Sequence, residues 1–133
     1  MRMLRVAANV AVWAVQILAA AAFVAIGLAK FADPAWARNF ARWGYPDGFY
    51  MVIGALELAG GLLLIVPRLA SYVATLLGAI MIGAAATHAL HHETSRLSAP
   101  LVWLAVMLLL AVARRSRAWR PRGRSLALPA GQV

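Results

Sequence analysis

Residues 53–67 read IGALELAGGLLLIVP, a run of Gly, Ala, Leu, Ile and Val that closes on a proline and carries one carboxylate, Glu57, near its middle. An acid in such a run is costly in a soluble core and in a bilayer, so the rest of the chain decides which setting it occupies. Of 133 residues, 64% are hydrophobic and 13% charged, whereas soluble domains are about 45–50% apolar and roughly 25% charged. This is a membrane composition. Apolar stretches at about 10–29, 49–66, 69–90 and 99–113 approach the roughly 20 residues that a spanning helix needs. Each is continuously apolar, where a membrane strand would alternate with a period of two. The expected fold is therefore all-α, an integral membrane four-helix bundle filling one domain over residues 1–113. The last run is short, so it is expected to tilt little, thin the bilayer or lean on snorkelling arginines. Arg2 and Arg5 precede the first run as in a signal peptide, but the run continues past Ala19–Ala22 through Phe23, Val24 and Ile26. It exceeds the about 7–15 residues of a signal-peptide core and reads as an uncleaved helix.

The chain has no cysteine, which removes thiol redox chemistry, disulfides and thiolate metal sites from consideration. With four spans the termini share a side. That side holds Arg2, Arg5, Arg68 and the six arginines of RRSRAWRPRGR, residues 114–124, and the opposite side holds Lys30, Arg38, Arg42 and Arg96. The positive-inside rule places both termini in the cytoplasm. Residues 114–133 are expected to form a basic, disordered cytoplasmic tail anchored to anionic lipid, with no nucleic-acid partner. Trp13 and Tyr72 lie toward the cytoplasmic ends of their helices, and Trp36, Trp43, Tyr45 and Tyr50 cluster outside, as interfacial aromatic belts do.

The outer loop FADPAWARNFARWGYPDG, residues 31–48, has helix punctuation of its own. Asp33 can cap a helix that has Pro34 at its first position, and Gly44 can end it before Pro46. Trp36, Phe40 and Trp43 share one face, with Arg38 and Arg42 elsewhere. The pattern predicts a short amphipathic helix in the membrane interface, a lid packed on the bundle or over a lateral opening.

Glu57 lies eight residues past Phe49, about 12 Å below the outer boundary at 1.5 Å per residue. At that depth it must face the bundle, be paired or be protonated, and ionisable residues so placed mark sites by default. Gly54, Ala55, Ala59, Gly60 and Gly61 surround it, and the third run offers Ala74, Gly78, Ala79 and Gly83, spacings that let helices approach closely. Lys30 and His88 end their helices on the outer side, nearer the surface than Glu57. Gln16 and Asn9 lie deep toward the cytoplasmic side. In THALHHET, residues 87–94, His88 pairs by spacing with His91 or His92 beside Glu93. Two imidazoles and a carboxylate suit zinc or copper, and His88 and His92 are the metal candidates. Histidines at a helix end also cap carbonyls, and no metal is assigned. His88 is the one expected to work with Glu57.

GLAKF at 27–31, a loop ending in GYP, and IGALELAGGLLLIVPRLASYVATLLGAIMIGAAATH at 53–88 together resemble the DoxX and DoxX-like membrane proteins over about residues 10–113. The resemblance implies a bundle of the bacterial inner membrane in which Lys30, Glu57 and His88 are the polar positions that such proteins keep. Founding members are quinone-reducing subunits of a thiosulfate oxidoreductase, and others associate with redox enzymes. The implied function is a quinone- or lipid-binding accessory subunit of a membrane redox system, with quinone as cofactor and a membrane or periplasmic redox partner. At most it is part of a quinone-linked oxidoreductase. In that reading Glu57 and His88 hydrogen-bond the ring oxygens and relay protons, and Lys30 stabilises the reduced anion. A different reading is a scaffold or assembly subunit that binds another membrane protein through its small-residue faces. A third is a small transporter, which at this length requires a homo-oligomer to build a pathway.

Overall fold

The computed structural model of the protein describes residues 1–118. They form α1 (Arg2–Ala32), α2 (Ala35–Arg42), α3 (Phe49–Leu64), α4 (Ala70–Leu90) and α5 (Ser98–Arg114), with short 3-10 turns at Thr94–Arg96 and Arg115–Arg117 and no strand among the described residues. The long helices run alternately up and down. α1 packs on α3 and α4 on α5; the two pairs join along α3 and α4 and more sparingly along α1 and α5. α2 lies across one end, here the lid end; the other is the tail end.

Three helical stretches, Arg2–Ala32, Ala70–Leu90 and Thr94–Arg117, are long and apolar enough to cross a membrane, and Phe49–Leu64 is a shorter apolar helix. Outward-facing Ile17, Leu18, Leu28, Val52, Leu62, Leu76, Ile82, Leu101 and Leu108 are all exposed, an apolar surface far larger than a soluble monomer carries. Lipid is the solvent for this surface. The span lengths differ from expectation in two places. The short one is α3, with 16 residues and about 24 Å of rise, because Pro67 has no amide to continue the ladder and disfavours helix at Val66; α5 with its flanking turns is 24 residues long. α1 starts at Arg2 instead of near residue 10, since MRMLRVAA contains good helix formers and no breaker.

α2 follows its punctuation closely. The Asp33 Oδ1 accepts a hydrogen bond from the Ala35 N–H at 2.8 Å. At the other end Gly44 takes φ +82, and the amides of Gly44 and Tyr45 donate to the carbonyls of Ala41 and Phe40, both at 3.0 Å. That is a Schellman close, completed by the Phe40 and Tyr45 rings 5.3 Å apart, the hydrophobic contact that accompanies this motif.

Glycines set the spacing of α1 and α3. A Cβ on Gly27 would lie 2.6 Å from the Leu58 nitrogen and 2.7 Å from the Gly54 oxygen, and one on Gly61 would lie 2.8 Å from the Val24 nitrogen. The two backbones touch, as small-residue helix pairs in membranes do. The dry core is confined to the tail half: Ala19, Ala20, Phe23, Leu64, Ala74, Leu77, Met107 and Leu110 form one cluster. The lid half holds a cavity instead.

The tail end is closed by a polar staple. Arg114, the last residue of α5 and 2% exposed, donates from Nε to the Gln16 Oε1 at 2.6 Å and from Nη1 to the Asn9 Oδ1 at 3.2 Å. Its guanidinium sits 4.7 Å from the Trp13 ring centroid. Gln16 in turn donates to the Leu64 carbonyl at 2.6 Å, one of the orphan acceptors at the end of α3. Arg114 is thus part of the folded bundle and not of a disordered tail; residues 119–133 of that expected tail lie outside the described residues.

Candidate ligand site beneath the lid helix

Lys30 ends α1, where a cation complements the helix dipole, and its neighbour across the interface is Gly54. A Cβ at Gly54 would come 2.9 Å from the Lys30 Cβ, so only glycine there lets the lysine lie flat against α3. From that position its Nζ reaches the Glu57 Oε2 at 2.6 Å. Both residues are buried, Lys30 at 4% and Glu57 at 2% exposure. The ammonium also sits 4.2 Å from the Trp36 ring centroid, a cation–π contact that covers its other side. Lys30 and Glu57 therefore meet directly, although their sequence positions set them at different depths.

The face of α2 predicted to be apolar is the one that turns inward. Phe40 is buried and touches the rings of Trp36, Trp43, Phe49 and Tyr50 at centroid distances of 5.4–6.4 Å. Trp43 meets the edge of His88 at 5.3 Å. His88 does not turn to Glu57: its Nδ1 lies 2.8 Å from the Glu93 Oε2. Glu93 also accepts from the Arg42 Nη2 at 2.6 Å and faces the Arg96 Nη1 at 3.9 Å. Glu93, which the sequence offered only as a metal ligand beside the histidines, instead ties the end of α2 to the α4–α5 connection. The His91 Nδ1–H donates to the Thr87 carbonyl at 2.8 Å, and His92 is exposed with φ 58. The imidazoles diverge, and no group of three metal-ligating side chains occurs among the described residues.

Below α2, between α1, α3, α4 and α5, lies a cavity of about 1040 Å³ lined by Lys30, Trp36, Glu57, Gly83, His88 and Trp103 among others. That is the upper end of the range for small-molecule sites. Its floor is Trp103, edge-on to Phe23 at 5.5 Å, where the dry core begins. Ala25, Ala79 and Gly83 line it and are exposed, and all three lie within apolar helices. Polar groups gather at the lid end. Thr87 donates its hydroxyl proton to the Gly83 carbonyl at 2.8 Å, so in the 2.6 Å contact of Tyr45 with Thr87 the tyrosine is the donor, because a hydroxyl has one proton to give.

Glu93 is expected to make the seating of α2 pH-sensitive in one direction. Its hydrogen bond with His88 is the largest cause, and together with the charges of Arg42 and Arg96 it holds the carboxyl below the ordinary value of 4.5 against the opposing effect of burial. A carboxyl depressed on folding contributes stability above its unfolded value, and the contribution is lost as pH falls through the folded value. Acidification below about 4.5 is therefore expected to loosen α2, read as faster amide exchange over residues 35–42, and Glu93→Gln is expected to show that looseness at neutral pH. Unchanged exchange in both cases would make the tie inconsequential.

The fold and this site define a membrane helical bundle with a cavity beneath α2. The chain belongs to the DoxX-like family, whose profile matches residues 14–110. No curated protein and no solved structure matches it. The matched span contains Lys30, Trp36, Glu57, His88 and the whole lid; Asn9, Trp13 and Arg114 fall outside it.

Proposed function

We propose that the protein binds a bilayer-borne amphiphile, a quinone or a lipid, with its polar head against Lys30 and Glu57 and its chain leaving between the helices. On this reading it serves as an accessory subunit of a membrane redox system in the bacterial inner membrane, with both termini cytoplasmic as the arginine distribution favours. The observation that carries the proposal is the buried Lys30–Glu57 pair in the wall of an apolar cavity set among apolar helices. Pure scaffolding would not need a void there, since packing normally leaves few voids larger than water. The scaffold alternative relied on small-residue faces, but Gly27, Gly54, Gly60 and Gly61 are consumed by contacts with neighbouring helices.

Mass spectrometry of small molecules extracted from gently purified protein tests the proposal. Wild type is expected to carry a quinone or lipid in stoichiometric amount. Ala84→Phe, on the α4 face that lines the cavity with Ile80, Thr87 and His88, is expected to fold and to lose it. Equal retention by both proteins, or none by wild type, would count against a ligand in this cavity.

A further inference from the structure

We infer that the cavity selects amphiphiles whose headgroup carries no charge, such as a quinone ring, a monoglyceride or an isoprenoid alcohol, and rejects the phosphate headgroups of ordinary bilayer lipids. The inference rests on the cavity being an amphiphile site and narrows its ligand by chemical class.

The formal charges in the wall sum to zero, and its one buried cation is paired. Lys30 and Arg96 are its cations and Asp33 and Glu57 its acids. Lys30 has Glu57 at 2.6 Å on one side and the face of Trp36 at 4.2 Å on the other. Arg96 faces Glu93, which also holds Arg42. A phosphate drawn to the lysine ammonium would come within a few ångströms of the Glu57 carboxylate, and like charges repel strongly where water is excluded. A cationic headgroup meets the converse obstacle at Lys30. Away from Asp33 and Arg96 the wall offers uncharged groups: the Asn39 amide and the Ser98 hydroxyl, beside the rings of Trp36 and Trp103. Such groups suit carbonyl and hydroxyl oxygens. Glu57 thus acts as a charge filter, because it removes the one buried cation that would otherwise recruit a phosphate.

A matched pair of probes isolates the phosphate. The full-length protein in a neutral detergent is offered equal amounts of 1-oleoylglycerol and 1-oleoylglycerol 3-phosphate, and the bound ratio is read by native mass spectrometry. Wild type is expected to favour the uncharged monoglyceride by at least roughly tenfold, since an unfavourable charge juxtaposition costs several kcal/mol. Glu57→Gln, which frees the Lys30 cation, is expected to move the ratio roughly tenfold or more toward the phosphate. The double variant Lys30→Gln/Glu57→Gln carries no charge at the pair and is expected to keep the wild-type preference; a double variant that turned to the phosphate would overturn the filter even if the single variant does not fold. A wild-type ratio near one, a preference for the phosphate, or a ratio that Glu57→Gln leaves unmoved would overturn the charge filter while leaving the cavity a ligand site. If wild type took up neither probe, the amphiphile reading would fall and the filter with it.

Discussion

Glu57→Gln is expected to destabilise the bundle by about 3–5 kcal/mol, because it leaves the Lys30 ammonium buried without its counter-ion. The partner is 2.6 Å away and neither side chain is wet, so water cannot take over the neutralisation. A loss of that size is a large share of the roughly 5–15 kcal/mol that holds a typical domain together. The single variant Lys30→Met is expected to cost a similar amount by stranding the carboxylate. The informative protein is Lys30→Met/Glu57→Leu: replacing a whole buried pair with packed apolar groups is often neutral or stabilising by about 1–4 kcal/mol. The double variant should therefore recover most of what either single loses. Unfolding in mixed micelles of a mild detergent and sodium dodecyl sulfate, followed by tryptophan fluorescence, measures all four proteins. If the losses simply add, the two groups do not act as a pair. If the pair is dispensable for stability, its retention in an apolar wall is best explained by binding, because stability alone would favour leucine.

The second large effect is expected at Gly27. An alanine there places its methyl 2.6 Å from the Leu58 nitrogen and 2.7 Å from the Gly54 oxygen. Both are backbone atoms, which cannot turn aside as a side chain can. α1 and α3 must separate, and overpacking of this kind costs about 1–3 kcal/mol, occasionally more. Separation also withdraws Lys30 from Glu57, since the same glycine face brings them together, so Gly27→Ala is expected to lose both stability and retained ligand. Gly83→Ala is the control. A Cβ there meets nothing within 4 Å, and alanine is a better helix former than glycine by about 1 kcal/mol. It should be neutral or slightly stabilising in the same unfolding measurement. Similar behaviour of the two variants would mean that the α1–α3 contact is not what sets the bundle.

Residues that sequence reasoning missed share a feature. Asn9, Trp13 and Gln16 are spaced four and three apart, a polar and aromatic stripe on one face of an apolar helix, and that stripe was a legible sign that something polar faces it. Nothing local marked Arg114 as the answer, since it begins a run of arginines that otherwise belongs at a membrane surface. The Glu93 tie was hidden in the same way. Its neighbours in sequence are histidines and suggest a metal, whereas its shortest contact, with Arg42 at 2.6 Å, comes from 51 residues away.

The solvent, the number of long helices and the short helix α2 are all legible in the sequence. Apolar runs of bilayer length leave no other architecture, and Asp33, Gly44 and the Trp36, Phe40 and Trp43 spacing define α2 through caps and periodicity that act within a few residues. The sequence also singled out Glu57, because an acid at that depth is expensive whatever surrounds it. Only the tertiary structure decided what surrounds it. Which side chains meet depends on how closely two helices approach and how each is rotated about its axis, and here the approach is set by backbone contact at Gly27, Gly54 and Gly61. That contact lets Lys30 lie along α3 and reach an acid deeper than itself. It leaves His88 to Glu93, and it opens beneath α2 a cavity that no local pattern encodes.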